Sequence, residues 1–139
     1  MNKEELVQEM NKMHIENAKT LTKLSYEFVS SGESGVLLWL REQQDEVFAV
    51  DIIDHFGLTP GRVANIVKKL EERGFIERQH SFQDLRKYCI HLTEAGRQQA
   101  DTLFENMNQR HMQFIETLGE EESIHALNIL NKIMPVLES

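Results

Sequence analysis

Residues 51–74 read DIIDHFGLTPGRVANIVKKLEERG, and this stretch decides the fold. Ile52, Ile53 and Phe56 give one apolar side to a short helix that stops at Gly57, a residue free to take the left-handed conformation that ends helices. Leu58 fills the turn. Thr59 is a preferred N-cap, Pro60 suits the first helical position where no amide bond is lost, and Val63, Ile66, Val67 and Leu70 follow at helical spacing. Two short helices joined by a tight turn make a helix-turn-helix, and the second buries one face. At about 100° per residue, the surface opposite that face presents Gly61, Asn65 and Lys68 near its centre, with Arg62 and Lys69 beside them. A donor-rich, carboxylate-poor stripe suits the major groove of DNA.

Downstream, Arg73-Gly74 caps the second helix, and Phe75 to Gln79 and Tyr88 to Leu92 are two β-prone runs around a polar loop, the pattern of a wing. Thr93 then caps a long helix with Leu103, Met107, Phe114 and Leu118 on one stripe, ended by Gly119. A last helix starts at Glu120 and carries Ile124, Leu127, Leu130, Ile133, Met134 and Leu137, with Glu120, Glu121 and Glu122 where the helix dipole favours negative charge. Upstream, Leu6, Met10, Met13, Leu21, Leu24 and Phe28 mostly step by three and four, which predicts one amphipathic helix over residues 4–28, broken by Ser30-Ser31-Gly32. Val36 to Leu40 begin a largely buried helix, and Val47-Phe48 suit a short strand. The expected fold is mainly α: a winged helix-turn-helix with a two-stranded β-wing and long N- and C-terminal helices, as a single domain over residues 1–139. Apolar stripes at both ends exceed what so small a core covers, which points to a homodimer joined through residues 4–28 and 98–139, with the winged helix in 33–97.

The chain has 139 residues, enough to bury one core. Its longest apolar run, Val36 to Leu40, falls far short of the roughly 20 residues that span a bilayer, and the N-terminus lacks a basic-then-apolar signal pattern. With a single cysteine, Cys89, no internal disulfide forms, and a cytoplasmic location is expected. The net charge of −8 is unevenly placed: residues 1–57, 58–97 and 98–139 carry −6, +3 and −5. The one positive segment coincides with the helix-turn-helix and wing, so phosphate attraction is focused there while the acidic flanks discourage non-specific contact.

The stretch GFIERQHSFQDLRKYCIHLTEAG, Gly74 to Gly96, resembles the MarR family of winged-helix transcription regulators. The matching elements are Leu70, Glu71 and Gly74 at the end of the recognition helix, an Asp-x-Arg at Asp84 and Arg86, and Leu92-Thr93 followed by Gly96. The resemblance implies a homodimer that recognises a pseudo-palindromic double-stranded operator as a sequence-specific regulator, a repressor released by a small organic effector. It implies that Asp84 orients Arg86 into the minor groove, where narrow A·T segments strengthen the negative potential. Lys87 would add a phosphate contact. Arg62, Asn65, Lys68 and Lys69 match the exposed recognition face, and Thr59 with the helix N-terminus, beside Gly61, matches a phosphate contact. Pro60-Gly61 stands where small polar residues are usual in the family, and Ser81, Phe82 and Gln83 leave the wing tip neutral.

Other chemistries are less well supported. Six histidines include no His-x-x-x-His, and Asp51 with His55 or Glu121 with His125 are helical i, i+4 pairs that more often serve surface electrostatics than metal binding. Cys89 lies in a β run between Tyr88 and Ile90, the setting of a packed thiol rather than a reactive one. Gly-rich phosphate loops, nucleophile elbows and zincin motifs do not occur, so the chain is not read as an enzyme, and no cofactor or membrane contact is expected. Met13, Asn17, Tyr26 and Trp39 are candidates to line an effector cleft. The alternative function is an adaptor that keeps the winged-helix scaffold for protein contacts, favoured by the overall acidity and the sparse wing.

Overall fold

The computed structural model of the chain describes residues 1–21 and 32–138. It divides into two compact units, Met1–Ala100 and Asp101–Ser139. In the first unit, α1 (Lys3–Glu16) opens with reciprocal capping: Asn2 Oδ1 accepts from the Glu5 N–H at 2.8 Å and Glu5 Oε2 accepts from the Asn2 N–H at 2.9 Å. The helix does not run unbroken towards Phe28. At Asn17 (φ −108°, ψ 26°) both the backbone N–H and the side-chain amide donate to the Met13 carbonyl, at 3.1 and 2.7 Å, so a side chain competes for a ladder acceptor and the turn opens. Residues 18–21 are helical again. Leu24, Tyr26, Phe28 and the Ser30-Ser31 break lie outside the described residues. No residue of α1 is buried, and Leu6, Met10 and Met13 are exposed.

The core of this unit comes from α2 (Glu33–Glu42), α3 (Ala49–Phe56), α4 (Pro60–Glu72) and the antiparallel strands β1 (Ile76–His80) and β2 (Tyr88–Leu92). Val36, Leu37, Ile52, Val63, Ile66, Val67, Leu70 and Ile76 are buried, so the helical spacing of α4 turns the expected face inward. Gly57 ends α3 with φ 64°, the left-handed cap its position demands. Val47 makes an isolated antiparallel bridge to Ile90, whose N–H donates to the Val47 carbonyl at 2.7 Å, so the expected short strand is a single paired residue.

β1 begins at Ile76, one residue later than the apolar run suggests. Gly74 (φ 77°) and Phe75 close the end of α4, with the Phe75 N–H donating to the Leu70 carbonyl at 3.0 Å, so Phe75 belongs to the cap. Its own carbonyl accepts from the Thr93 N–H at 3.0 Å. Thr93 Oγ1 donates to the Gly74 carbonyl at 2.5 Å and accepts from the Gly96 N–H at 3.0 Å, capping α5 (Glu94–Leu118) against the strand entry. Gly96 packs so closely there that a Cβ would lie 1.8 Å from the Phe75 carbonyl oxygen.

The second unit holds the remainder of α5, then Gly119 (φ 84°) and α6 (Glu120–Leu137). Glu120, Glu121 and Glu122 occupy the first turn of α6 as expected, and none of its residues is buried. Ile124, Leu127, Leu130, Ile133, Met134 and Leu137 are all exposed. Among the described residues no helix is long and apolar enough to cross a membrane.

Candidate nucleic-acid interface

Packing fixes which way α4 faces. With Val63, Ile66, Val67 and Leu70 held in the core, Gly61, Arg62, Asn65, Lys68 and Lys69 are all exposed, which brings the predicted residues together on one helix. Thr59 caps it by accepting from the Arg62 N–H at 3.2 Å. Capping uses only an acceptor lone pair, so the hydroxyl retains its proton for an outside oxygen next to the positive end of the helix dipole. Pro60 at the first helical position carries no N–H, and Gly61 no side chain, so the exposed polar side chains of the helix begin at Arg62.

In the wing, the expected carboxylate-arginine pair is formed. Asp84 Oδ1 accepts from the Arg86 backbone N–H at 3.0 Å and from Nε at 3.1 Å, while Oδ2 accepts from the second guanidinium nitrogen at 3.3 Å. The Arg86 side chain is 91 % exposed against 30 % for Asp84, so the cation stands out of the loop on an acidic base. The Arg86 guanidinium, and then its backbone N–H, hold the Asp84 carboxyl below its ordinary value of 3.8. The order this carboxylate gives the wing is therefore present above the ordinary carboxylate value and lost as pH falls through the lowered one. Lys87 does not simply extend to solvent: its ammonium lies 5.9 Å from the centre of the Phe48 ring, a cation-π contact between the wing and the start of α3.

Two residues that sequence reasoning passed over build this turn. Ser81, taken as a neutral tip residue, is fully buried. Its hydroxyl donates to Glu46 Oε2 at 2.5 Å and accepts from the N–H groups of Gln83 and Asp84 at 3.1 and 3.2 Å, while the Phe82 N–H donates to Glu46 Oε1 at 2.7 Å. Glu46 is separated from Ser81 by 35 positions, beyond any local pattern; the one available signal is that Ser-x-x-Asp favours a hydrogen-bonded turn.

The other candidates separate. Asp51 accepts from the Phe48 N–H at 2.8 Å and His55 stacks on Trp39 at 4.9 Å, so this pair is engaged in capping and packing. Cys89 is buried in β2 opposite Gln79. Among the described residues no three His, Cys, Asp or Glu side chains are grouped to hold a metal ion. Trp39 lines an open hollow of about 470 Å³ with Gln43, Asp45, Glu46, Val47, Asp51, Asp54 and His55, and neither Met13 nor Asn17 takes part. Its four carboxylates repel an anionic ligand.

The geometry makes a sign-dependent prediction. Arg86→Ala should weaken duplex binding for all sequences and lower the salt slope by about one. Asp84→Ala makes the wing more positive, yet it should also weaken binding, by about two- to fivefold, because the guanidinium loses its support. Titration of each variant with duplex over a salt series decides this; tighter binding by Asp84→Ala would refute the orienting role.

Residues 29–88 match the model of the MarR family. Among related sequences, the uncharacterized HTH-type transcriptional regulator YwhA of Bacillus subtilis is 35 % identical over 83 residues, which cover 60 % of this chain and 60 % of YwhA. The chain thus spans about three fifths of that relative's length. Among solved structures, MepR, a transcription regulator of the Staphylococcus aureus multidrug efflux pump MepA, superposes with a TM-score of 0.66 at 23 % identity over 99 % of both chains. The transcriptional repressor CouR, bound to a 23-mer DNA duplex, superposes with a TM-score of 0.60 at 24 % identity over 70 % of each. At these identities the two structures establish the winged-helix fold.

Proposed function

We propose that the chain is a regulator of the MarR family, whose model it matches over residues 29–88, and that it binds double-stranded DNA sequence-specifically and is not an enzyme. The observation that carries this reading is the pairing, within one unit, of an exposed Arg62, Asn65, Lys68 and Lys69 face on α4 with a wing whose Asp84 supports an outstanding Arg86. The helix face reads bases in the major groove, where arginine pairs with guanine and asparagine with adenine. The wing arginine reads groove shape. Thr59 with Gly61 and Lys87 hold phosphates on either side. That CouR is a repressor bound to duplex DNA supports repression as the mode of action.

The protein acts as a cytoplasmic homodimer, with residues 4–28 and 98–139 joining two copies and residues 33–97 meeting the operator. Two-fold symmetry makes that operator a pseudo-palindrome with half-sites about one helical turn apart. A small organic effector that binds one dimer shape better than the other changes the spacing of the two α4 helices and releases the DNA. The acidic hollow beside Trp39 disfavours an anionic effector at that place.

Selection of bound sequences from a random duplex pool tests the reading. An enriched palindrome is expected, with affinity falling steeply as salt rises; no enrichment would favour the adaptor. On the enriched sequence, Asn65→Ala should relax discrimination at one or two base positions, at a cost of roughly 1 to 3 kcal/mol per lost bidentate contact. Competition with single-base variants measures this, and unchanged discrimination would remove Asn65 from base readout.

A further inference from the structure

We propose that Glu46, in the segment between α2 and α3, is a positioning residue for the wing arginine: through the buried Ser81 hydroxyl it sets where Arg86 meets DNA. The inference rests on the regulator reading above. A continuous chain of short bonds carries it. Glu46 takes the Ser81 hydroxyl proton at 2.5 Å and the Phe82 N–H at 2.7 Å, and the Ser81 oxygen receives the Gln83 and Asp84 N–H groups at 3.1 and 3.2 Å. Asp84 then holds Arg86 through the backbone N–H and through Nε and one terminal nitrogen of its guanidinium.

The central link, the Ser81 hydroxyl, is saturated. A serine hydroxyl offers one donor and two acceptor lone pairs, and all three are used here in a side chain with no solvent exposure. The Ser81 N–H donates to the Lys87 carbonyl at 2.9 Å, closing the loop on itself. Glu46 is anchored in turn by its neighbour Val47, whose carbonyl receives the Ile90 N–H of β2. The carboxylate therefore reaches the wing turn from a backbone already pinned to the wing strand, and without it Ser81 loses its acceptor and Phe82 its bond partner. Charge alone predicts the reverse outcome, because removing Glu46 deletes a negative group close to a DNA-facing loop.

The test uses the full chain in two measurements. Glu46→Ala should weaken binding to the selected duplex by up to about fivefold, no more than the loss of Asp84, through which it acts. In an Arg86→Ala background the same change should cost about twofold or less, whereas in a Lys68→Ala background it should cost the full amount. Amide exchange at Phe82, Gln83 and Asp84 should quicken at least about tenfold in Glu46→Ala, while exchange at Ile66 and Val67 stays unchanged. Equal losses in all backgrounds, tighter binding, or unchanged exchange in the wing would each overturn the proposal. If the parent chain selects no duplex, the regulator reading fails by itself, and the exchange measurement still decides whether Glu46 holds the wing.

Discussion

Replacing both Leu127 and Leu130 with glutamate should leave a monomer whose affinity for the operator is about 10²- to 10⁴-fold lower, the scale on which linking two binding modules raises avidity. Both residues lie on α6, a helix with no buried residue in the single chain, and they are 57 % and 50 % exposed among Ile124, Ile133, Met134 and Leu137. A contiguous apolar stripe of this extent is covered in a stable soluble protein, and a second copy is the proposed cover. Carboxylates placed in its centre cannot be desolvated without a partner, so association fails. The core around Ile52, Leu70 and Ile76 lies in the other unit, so the winged helix should stay folded and bind one half-site weakly. Sedimentation measures the mass and duplex titration the affinity; a dimer that keeps its operator affinity would refute this use of α6.

Gly96→Ala should destabilise the protein by roughly 3 kcal/mol or more, because the clash involves backbone and no rotamer can relieve it. The added carbon would meet the Phe75 carbonyl oxygen at 1.8 Å and its carbon at 2.7 Å. To make room, the start of α5 must withdraw from the strand entry, breaking the Thr93 bonds to Gly74, Phe75 and Gly96 together. Gly61→Ala is the contrasting control. A Cβ at Gly61 meets nothing within 4 Å, so this change should be neutral or stabilise by up to about 1 kcal/mol through helix propensity. Urea denaturation of the two variants reads the difference, and a Gly96→Ala midpoint equal to the parent's would show that the helix start yields.

Local chemistry explains which features were legible in the sequence. Gly57, Thr59 and Pro60 each act within a few residues of themselves, so the end of α3 and the start of α4 follow from their identities alone. The Asp84-Arg86 pair, two positions apart, is equally local. Errors arose where a periodic pattern met a competing hydrogen bond: Asn17 interrupts an apolar stripe that runs past it, and the cap after Leu70 takes Phe75 out of the strand. Glu46 and Ser81 escaped because burial of a serine and the acceptor waiting for it are decided by tertiary packing. The exposed recognition face was legible because it is the complement of the core face, and its use on DNA is a proposal built on that placement.

The Asp84-Arg86 arrangement has a consequence in conformational freedom. A solvated arginine side chain carries about 2 kcal/mol of rotamer entropy. Here the carboxylate grips the guanidinium by two of its nitrogens and by the residue's own backbone N–H. Much of the search for a heading is thus completed when the wing folds, before any duplex arrives. In the proposed complex such a side chain favours one heading over others, so it would suit a narrower range of groove widths than an unsupported arginine. The rigidity that lowers the entropic cost of the right contact thereby also narrows the set of sequences that offer it.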